Sequence, residues 1–184
     1  MNKSVVQAIA VCLLLVVANL DSVAAEHGVT DNVVLVTIDG LRWQDLFTGA
    51  DERLINREND GAHDGRYDQY LDAAYRSDQY IQQLWEACQQ LDDYRGKTTF
   101  VITTDHGRGD DRDGWKSHGA SIPGSEYIWI AVIGPDTKSL GGRPNVNVTQ
   151  SQIAATVAAL LGEDFVAADD RIARPLPGFV GGGE

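Results

Sequence analysis

Short, continuously apolar stretches alternate along the chain with longer stretches in which apolar residues recur at helical spacing. Residues 32–38, 97–105 and 127–133 are rich in β-branched residues and end at turn residues, which predicts three buried strands. Over residues 67–91 the apolar positions follow a helical period, which predicts a long amphipathic helix. A shorter apolar helix is predicted over residues 153–161.

The order of these elements predicts an α/β fold with a parallel sheet and helices on both of its faces. In such sheets ligands bind at the carboxyl ends of the strands. Asp39 and Asp105 each follow a predicted strand directly, so we expect both carboxylates to project into one crevice. Residues 107–126 form a long polar loop with five glycines, and a loop of that length in a compact domain is often functional.

The N-terminal 25 residues have the pattern of an export signal. Lys3 precedes an apolar run over residues 5–18, and small residues at 23–25 provide a cleavage site. We expect residues 26–170 to form one domain, residues 171–184 to form a flexible tail, and the protein to be periplasmic or secreted with no stable membrane anchor after cleavage. The alternatives for this segment are a buried N-terminal helix and an uncleaved anchor.

The net charge and the cysteine content indicate which partners and which cysteine chemistry to expect. A formal net charge of -12 repels polyanions and argues against a nucleic acid partner. Cys12 would leave with the signal, so Cys88 would have no partner for an internal disulfide. Because Cys88 falls on the apolar face of the long predicted helix, we expect a buried structural thiol.

Five acidic and histidine residues form a candidate metal-ligand set. Asp39 and Asp105 end strands that should be neighbours, and His106 is adjacent to one of them. His63 and His118 lie in polar loops that contain glycine. Mixed carboxylate and imidazole ligands suit zinc, most of all, and also manganese or iron, rather than calcium. Five such groups exceed the needs of one tetrahedral site and indicate two divalent ions.

Four motifs carry a resemblance to a known family. The segments "VTIDGLRW", "AHDGRYD", "TTDHGRG" and "SHG" occur in the order seen in the alkaline phosphatase superfamily. The sequence resembles most closely the type I phosphodiesterase, nucleotide pyrophosphatase and sulfatase-like members. The match runs from residue 32 to about residue 165, which is nearly all of the predicted domain.

The resemblance implies a shortened alkaline-phosphatase-like α/β fold with two metal ions and a small-molecule phosphate or sulfate ester as substrate. Asp39, Asp105 and His106 match the ligands of one ion in the family, and His63 and His118 match ligands of the other. The family's further aspartate for the second ion is replaced here by Asn59, which is followed by Asp60. These two residues are further candidate ligands.

The family's serine or threonine nucleophile segment is missing from this chain. Only nineteen residues, 40–58, separate the first aspartate motif from Asn59, so the domain is internally truncated there. The catalytic nucleophile is therefore unknown. Thr48, the sole hydroxyl side chain in that interval, is a weak candidate, because it stands in an "FTGAD" loop rather than at a helix start. Three interpretations follow: an impaired metal-dependent ester hydrolase, an inactive exported metal-binding remnant, and an exported binding module whose acids and histidines are solvated loop residues.

Overall fold

The computed structural model describes four stretches of the chain, residues 28–55, 67–143, 146–169 and 171–178. The proposed export signal over residues 1–25 lies outside these stretches. So do the candidate ligands Asn59, Asp60 and His63. The fold and the site that follow are those of the described residues.

Three strands form a mixed sheet in the order β1-β2-β3. They are β1 (Asn32–Ile38), β2 (Thr98–Thr104) and β3 (Ile130–Ile133). β1 and β2 are parallel, as predicted, whereas β3 is antiparallel to β2, so the expectation of a wholly parallel sheet is wrong. A parallel strand needs a crossover connection, usually a helix. The chain between β2 and β3 has no helix, and β3 therefore starts beside the end of β2 and runs back along it.

The described helices are α1 (Trp43–Phe47), α2 (Tyr67–Gln90), α3 (Gln152–Leu160) and a 3₁₀ helix at Phe165–Ala168. The two longer ones agree with the predicted helices to within one residue at each end. The short α1 and the 3₁₀ helix were not predicted, because each is too short to show a helical period. Within the described stretches, no helix is both long enough and apolar enough to cross a membrane.

Helices cover both faces of the sheet, as predicted. α2 packs on one face, against a core that contains Cys88, Phe100 and Ile102. α3 packs on the other face, where Ile153 and Leu160 meet Val101. Neighbouring residues of a strand point to opposite faces, and every residue of β2 is buried. β2 is therefore the central strand, and the loop that follows it begins at a fully buried strand.

Cys88 is buried, as expected of a structural thiol, and burial raises the pKa of this thiol. The segment from residue 171, expected to be a flexible tail, packs against α3 over its described part. Leu176 is only 3% exposed, and its backbone N–H donates to the hydroxyl of Thr156 at 2.8 Å. The segment thus contributes a buried apolar side chain beside α3.

Candidate metal centre

Two acids lie side by side at the carboxyl ends of β1 and β2. The parallel register pairs Ile38 with Thr104, so the residues that follow these strands, Asp39 and Asp105, leave the sheet at the same edge. Both carboxylates belong to a group of potential ligand atoms that lie within 4.8 Å of one another. The convergence expected from parallel strand order is therefore present.

The hydroxyl of Thr104 fixes the backbone beneath these acids. Thr104 is fully buried, and its Oγ1 donates to the carbonyl of Ile38 at 2.8 Å. The same oxygen accepts from the backbone N–H of Leu41 at 3.1 Å. The loop that carries Asp39 is thus joined to β2 by a side chain of β2 itself, which limits how far the two acids can separate.

Gly40 directly follows Asp39 and Gly107 follows the Asp105-His106 pair, and the backbone is approached closely at each glycine. Gly40 has φ +52°, and a Cβ there would lie 2.8 Å from the Arg108 guanidinium and 2.9 Å from the His106 ring. A Cβ on Gly107 would lie 2.4 Å from the carbonyl oxygen of Tyr127. The two glycines therefore let the loops close around the acids.

His106 directs one ring nitrogen toward both carboxylates. Its Nδ1 lies 2.8 Å from the carbonyl oxygen of Gly107, and because a carbonyl only accepts, Nδ1 carries the proton. The lone pair of the neutral ring is therefore on Nε2. This atom lies 3.7 Å from Oδ1 of Asp39 and 3.7 Å from Oδ1 of Asp105. A hydrogen bond from the other ring nitrogen to a backbone carbonyl is typical of metal-binding histidines.

Asp39, Asp105 and His106 fit one divalent cation. Ligand atoms about 2.1 Å from a tetrahedral ion are roughly 3.4 Å apart, and the two 3.7 Å separations are close to that value. The side chains are 82%, 45% and 26% exposed, so an ion held here would remain open to solvent and to substrate. Two carboxylates and one imidazole suit zinc, manganese or iron.

His118 lies next to this group, on the ring of His106. The two imidazoles are stacked with their centroids 4.0 Å apart. Both rings line an open depression of about 700 Å³, and the rest of its wall comes from the loop over residues 119–126. The long polar loop thus borders the site, as a functional loop would. The other candidate ligands of a second ion, His63, Asn59 and Asp60, lie outside the described residues.

Arg108 is a neighbour of the site that the sequence analysis did not identify. Its Nη2 lies 3.7 Å from Oδ1 of Asp39, and its Nε donates to the carbonyl of Gly40 at 2.8 Å. Arginine has no fixed place in a metal-ligand pattern, so ligand spacing could not reveal it. The available signal was its position two residues after His106, in the same glycine-rich turn.

A second polar cluster, which is buried, lies just beyond this site. Arg42 is 1% exposed, and its guanidinium lies 3.5 Å from Asp45 and 3.6 Å from Asp51. Tyr67 donates its hydroxyl proton to Asp45 at 2.5 Å and accepts from the backbone N–H of Asp51. Burial, followed by the bond to Asp45, raises the pKa of Tyr67 to about 12. The cluster has its own cation and joins α1 to the start of α2.

Thr48, the candidate nucleophile, lies at the C-terminal end of α1 and not at a helix start. It is the C-cap residue of this short helix, and its hydroxyl donates to the carbonyl of Gln44 at 2.8 Å. Its setting therefore lacks the helix N-terminus whose N–H groups would stabilise developing negative charge.

Comparison of the chain with protein-family models, with curated proteins and with solved structures finds no match. The likeness to the alkaline phosphatase superfamily therefore rests on the four sequence motifs alone. The arrangement of Asp39, Asp105 and His106 is a separate observation that does not depend on that likeness.

Proposed function

We propose that this chain is an exported, metal-dependent hydrolase of small phosphate or sulfate esters from the alkaline phosphatase superfamily, with turnover impaired by its missing nucleophile segment. The observation that carries the proposal is the convergence of Asp39, Asp105 and His106, whose ligand atoms lie within 4.8 Å of one another. A three-stranded sheet with helices on both faces is what a shortened version of that fold would retain.

In this proposal Asp39, Asp105 and His106 hold one divalent cation. When bound, that cation would polarise an ester oxygen and balance negative charge that develops during hydrolysis. The chain keeps the ligands in place through two contacts. Gly40 donates its backbone N–H to Oδ1 of Asp105 at 3.0 Å, and the carbonyl of Gly107 orients the His106 ring.

The proposal includes a second cation near His118. Its support is the stacking of His118 on His106, together with the resemblance that assigns His63 and His118 to a second ion. Asn59 in place of the family's aspartate offers a neutral oxygen, which attracts a cation less than a carboxylate does. We therefore expect the second ion to bind more weakly than the first.

A second candidate function is metal binding without turnover. The observation that favours it is the position of Thr48 at a helix C-terminus, with its hydroxyl donated to the Gln44 carbonyl. Loss of a covalent nucleophile removes several orders of magnitude in rate, although metals and positioning leave some catalysis above the rate in water. The two candidates differ only in whether that remaining rate is measurable.

Metal content and turnover measured on the same protein sample test the proposal. Mass spectrometry should find zinc, manganese or iron, and Asp105→Asn should lower that content while the exposed loop variant Asp113→Asn should not. Slow hydrolysis of an aryl phosphate diester or of an aryl sulfate should disappear on chelation and survive Thr48→Ala.

Two results would contradict the proposal in separate ways. Protein that stays metal-free after incubation with zinc and manganese would remove both candidate functions. Metal-loaded protein with no turnover on either ester would leave only the second. For export, N-terminal sequencing of protein from its native host should find a start near Glu26, and a start at Met1 in the cytoplasm would contradict that part.

A further inference from the structure

Arg108 is held firmly beside the candidate metal ligands. Its Nε donates to the carbonyl of Gly40 at 2.8 Å, and its Nη1 donates to the carbonyl of Lys116 at 3.2 Å. The guanidinium also lies over the ring of Tyr70, 5.7 Å from its centroid. With the side chain only 19% exposed, these contacts fix the plane of the guanidinium.

The remaining nitrogen of Arg108 faces the site without a hydrogen-bond acceptor among the described residues. Nη2 lies 3.7 Å from Oδ1 of Asp39, which is too long for a hydrogen bond. His106 Nε2 lies 3.7 Å from the same oxygen. Nη2 is thus available to donate to a ligand bound beside Asp39.

The position of this positive charge creates a conflict that an anion would resolve. A guanidinium beside Asp39 repels a divalent cation bound to the same carboxylate. An oxyanion bound to that cation would lie between the two positive charges and accept hydrogen bonds from Nη2. A guanidinium is a common recognition group for phosphate, and here its charge and the N–H groups of Nη2 suit a tetrahedral oxyanion.

We propose that Arg108 makes this site bind a divalent cation and a tetrahedral oxyanion cooperatively, with Arg108 as the anion-binding residue. The inference rests on the metal centre proposed above and identifies the group it recognises. Phosphate and sulfate share the relevant chemistry, since both are tetrahedral dianions. Which of them is preferred is decided by testing each one.

The test measures Mn²⁺ affinity, by electron paramagnetic resonance of free Mn²⁺, with and without inorganic phosphate and, separately, inorganic sulfate. The variants are Arg108→Gln, which removes the charge but keeps an amide donor, and Arg112→Gln, which removes an exposed arginine from the same loop. Each anion's own complexation of Mn²⁺ is the same for all proteins and cancels in the comparison.

In the wild type and in Arg112→Gln, at least one anion should tighten Mn²⁺ binding by about fivefold or more, the lower range of measured coupling between sites. In Arg108→Gln the anion effect should disappear, and Mn²⁺ alone should bind more tightly than in the wild type. If circular dichroism shows that Arg108→Gln does not fold, Arg108→Lys replaces it, and its anion effect should be clearly weaker, because one ammonium cannot keep the contacts to the Gly40 and Lys116 carbonyls and also reach the anion.

The failures of the two proposals are distinguishable. If the wild type binds Mn²⁺ but neither anion changes the affinity, or if the Arg108 variant keeps the full anion effect, the role of Arg108 is refuted and the metal centre stands. If the wild type binds no Mn²⁺ at all, the metal centre fails and the role of Arg108 fails with it.

Discussion

Two polar clusters include residues of the segment 39–51 that follows β1, and they differ in how their negative charge is balanced. In the buried cluster, Asp45 and Asp51 face the guanidinium of Arg42, and the side chains of Arg42 and Asp45 are each 1% exposed. In the cluster at the strand ends, Asp39 is 82% exposed and lies beside Asp105. Among the described residues, Arg108 is the one permanent cation that lies beside them.

This difference in charge balance indicates that the buried cluster is structural and that the exposed cluster can accept a ligand. A buried carboxylate needs an internal cation because isolation from water is costly, and Arg42 supplies it. The exposed cluster has two carboxylates, the lone pair of one imidazole and one arginine, so it carries an excess of negative charge. A surplus of this kind at a sheet edge attracts a cation from solution.

Removing the internal cation should destabilise the fold strongly. Arg42→Ala leaves Asp45 buried without its partner, a change that typically costs about 3–5 kcal/mol in the free energy of unfolding. Arg53→Ala is the matched control, because Arg53 binds Asp51 from the solvent side with 73% of its side chain exposed. Urea unfolding measures both, and an equally small loss in the two variants would contradict the structural role of Arg42.

An external cation should stabilise the fold through the exposed cluster. At a Mn²⁺ or Zn²⁺ concentration one hundred times the dissociation constant, the wild type should gain about 2.7 kcal/mol. Asp105→Asn keeps the oxygen that accepts from Gly40 and His106 but removes the charge, so this gain should be lost. Thermal melts with and without metal provide the measurement.

For that experiment, Asp113→Asn is the control, since Asp113 is an exposed acid in the following loop. It should retain the full metal effect. Equal stabilisation of Asp105→Asn and Asp113→Asn would mean that the cations bind elsewhere on this acidic surface.

The exposed cluster could be predicted from sequence, whereas the buried one could not. Asp39 and Asp105 follow runs rich in β-branched residues, and parallel strand order alone brings such residues together. Arg42 gives no comparable signal, because an arginine in a polar segment is usually exposed. Its burial depends on contacts with Asp45 and Asp51 across a turn and on the packing of α2, and these are tertiary effects.

The direction of β3 was mispredicted for a related reason. An apolar run of four to seven residues has the same pattern whichever way the strand runs, so periodicity carries no information on direction. The predicted start at residue 127 was also early, since Tyr127 is 58% exposed and precedes the strand. The direction is set by the connection over residues 105–129. This connection stays at the end of the sheet where β2 finishes, and part of it lines the depression beside His106 and His118.

Adding a methyl group at Gly40 should damage the exposed cluster more than an equally strained glycine elsewhere. Gly40→Ala places a Cβ 2.8 Å from Arg108 and 2.9 Å from His106, so metal affinity should fall by about tenfold or more, as it does when groups that orient metal ligands are changed. Gly49→Ala shares the positive φ but has no atom within 4 Å of the added group.

Both glycine variants should lose about 1–2 kcal/mol of stability from the left-handed backbone alone. Mn²⁺ titration separates them, since only Gly40→Ala should bind the ion more weakly. A matched loss of affinity in Gly49→Ala would show that the effect comes from general destabilisation rather than from contacts at the site.

Asp136 is a third kind of acid, because its partners are backbone N–H groups rather than a side-chain cation or a solvent ion. It follows β3, and because β3 is antiparallel it lies at the sheet edge opposite the candidate metal centre. Its carboxylate accepts from the backbone N–H groups of Val29 at 2.9 Å and Thr30 at 2.7 Å. Burial alone would raise the pKa of Asp136, but hydrogen bonds from Thr30 and Val29 outweigh it and hold the pKa below its usual 3.8.

The pH dependence of this contribution follows from the lowered pKa. The stability that Asp136 supplies is present above pH 3.8 and is lost as the pH falls through the lower folded-state value. Asp136→Asn should therefore cost about 1 kcal/mol at pH 7, and its difference from the wild type should shrink toward zero as the pH falls below 3.8.

Urea unfolding at a series of pH values measures this difference, with Asp113→Asn as the exposed control. A difference that stays constant down to pH 3 would show that the ionised carboxylate is not what holds Val29 and Thr30. Added Mn²⁺ should leave the difference unchanged, because this acid already has its partners within the chain.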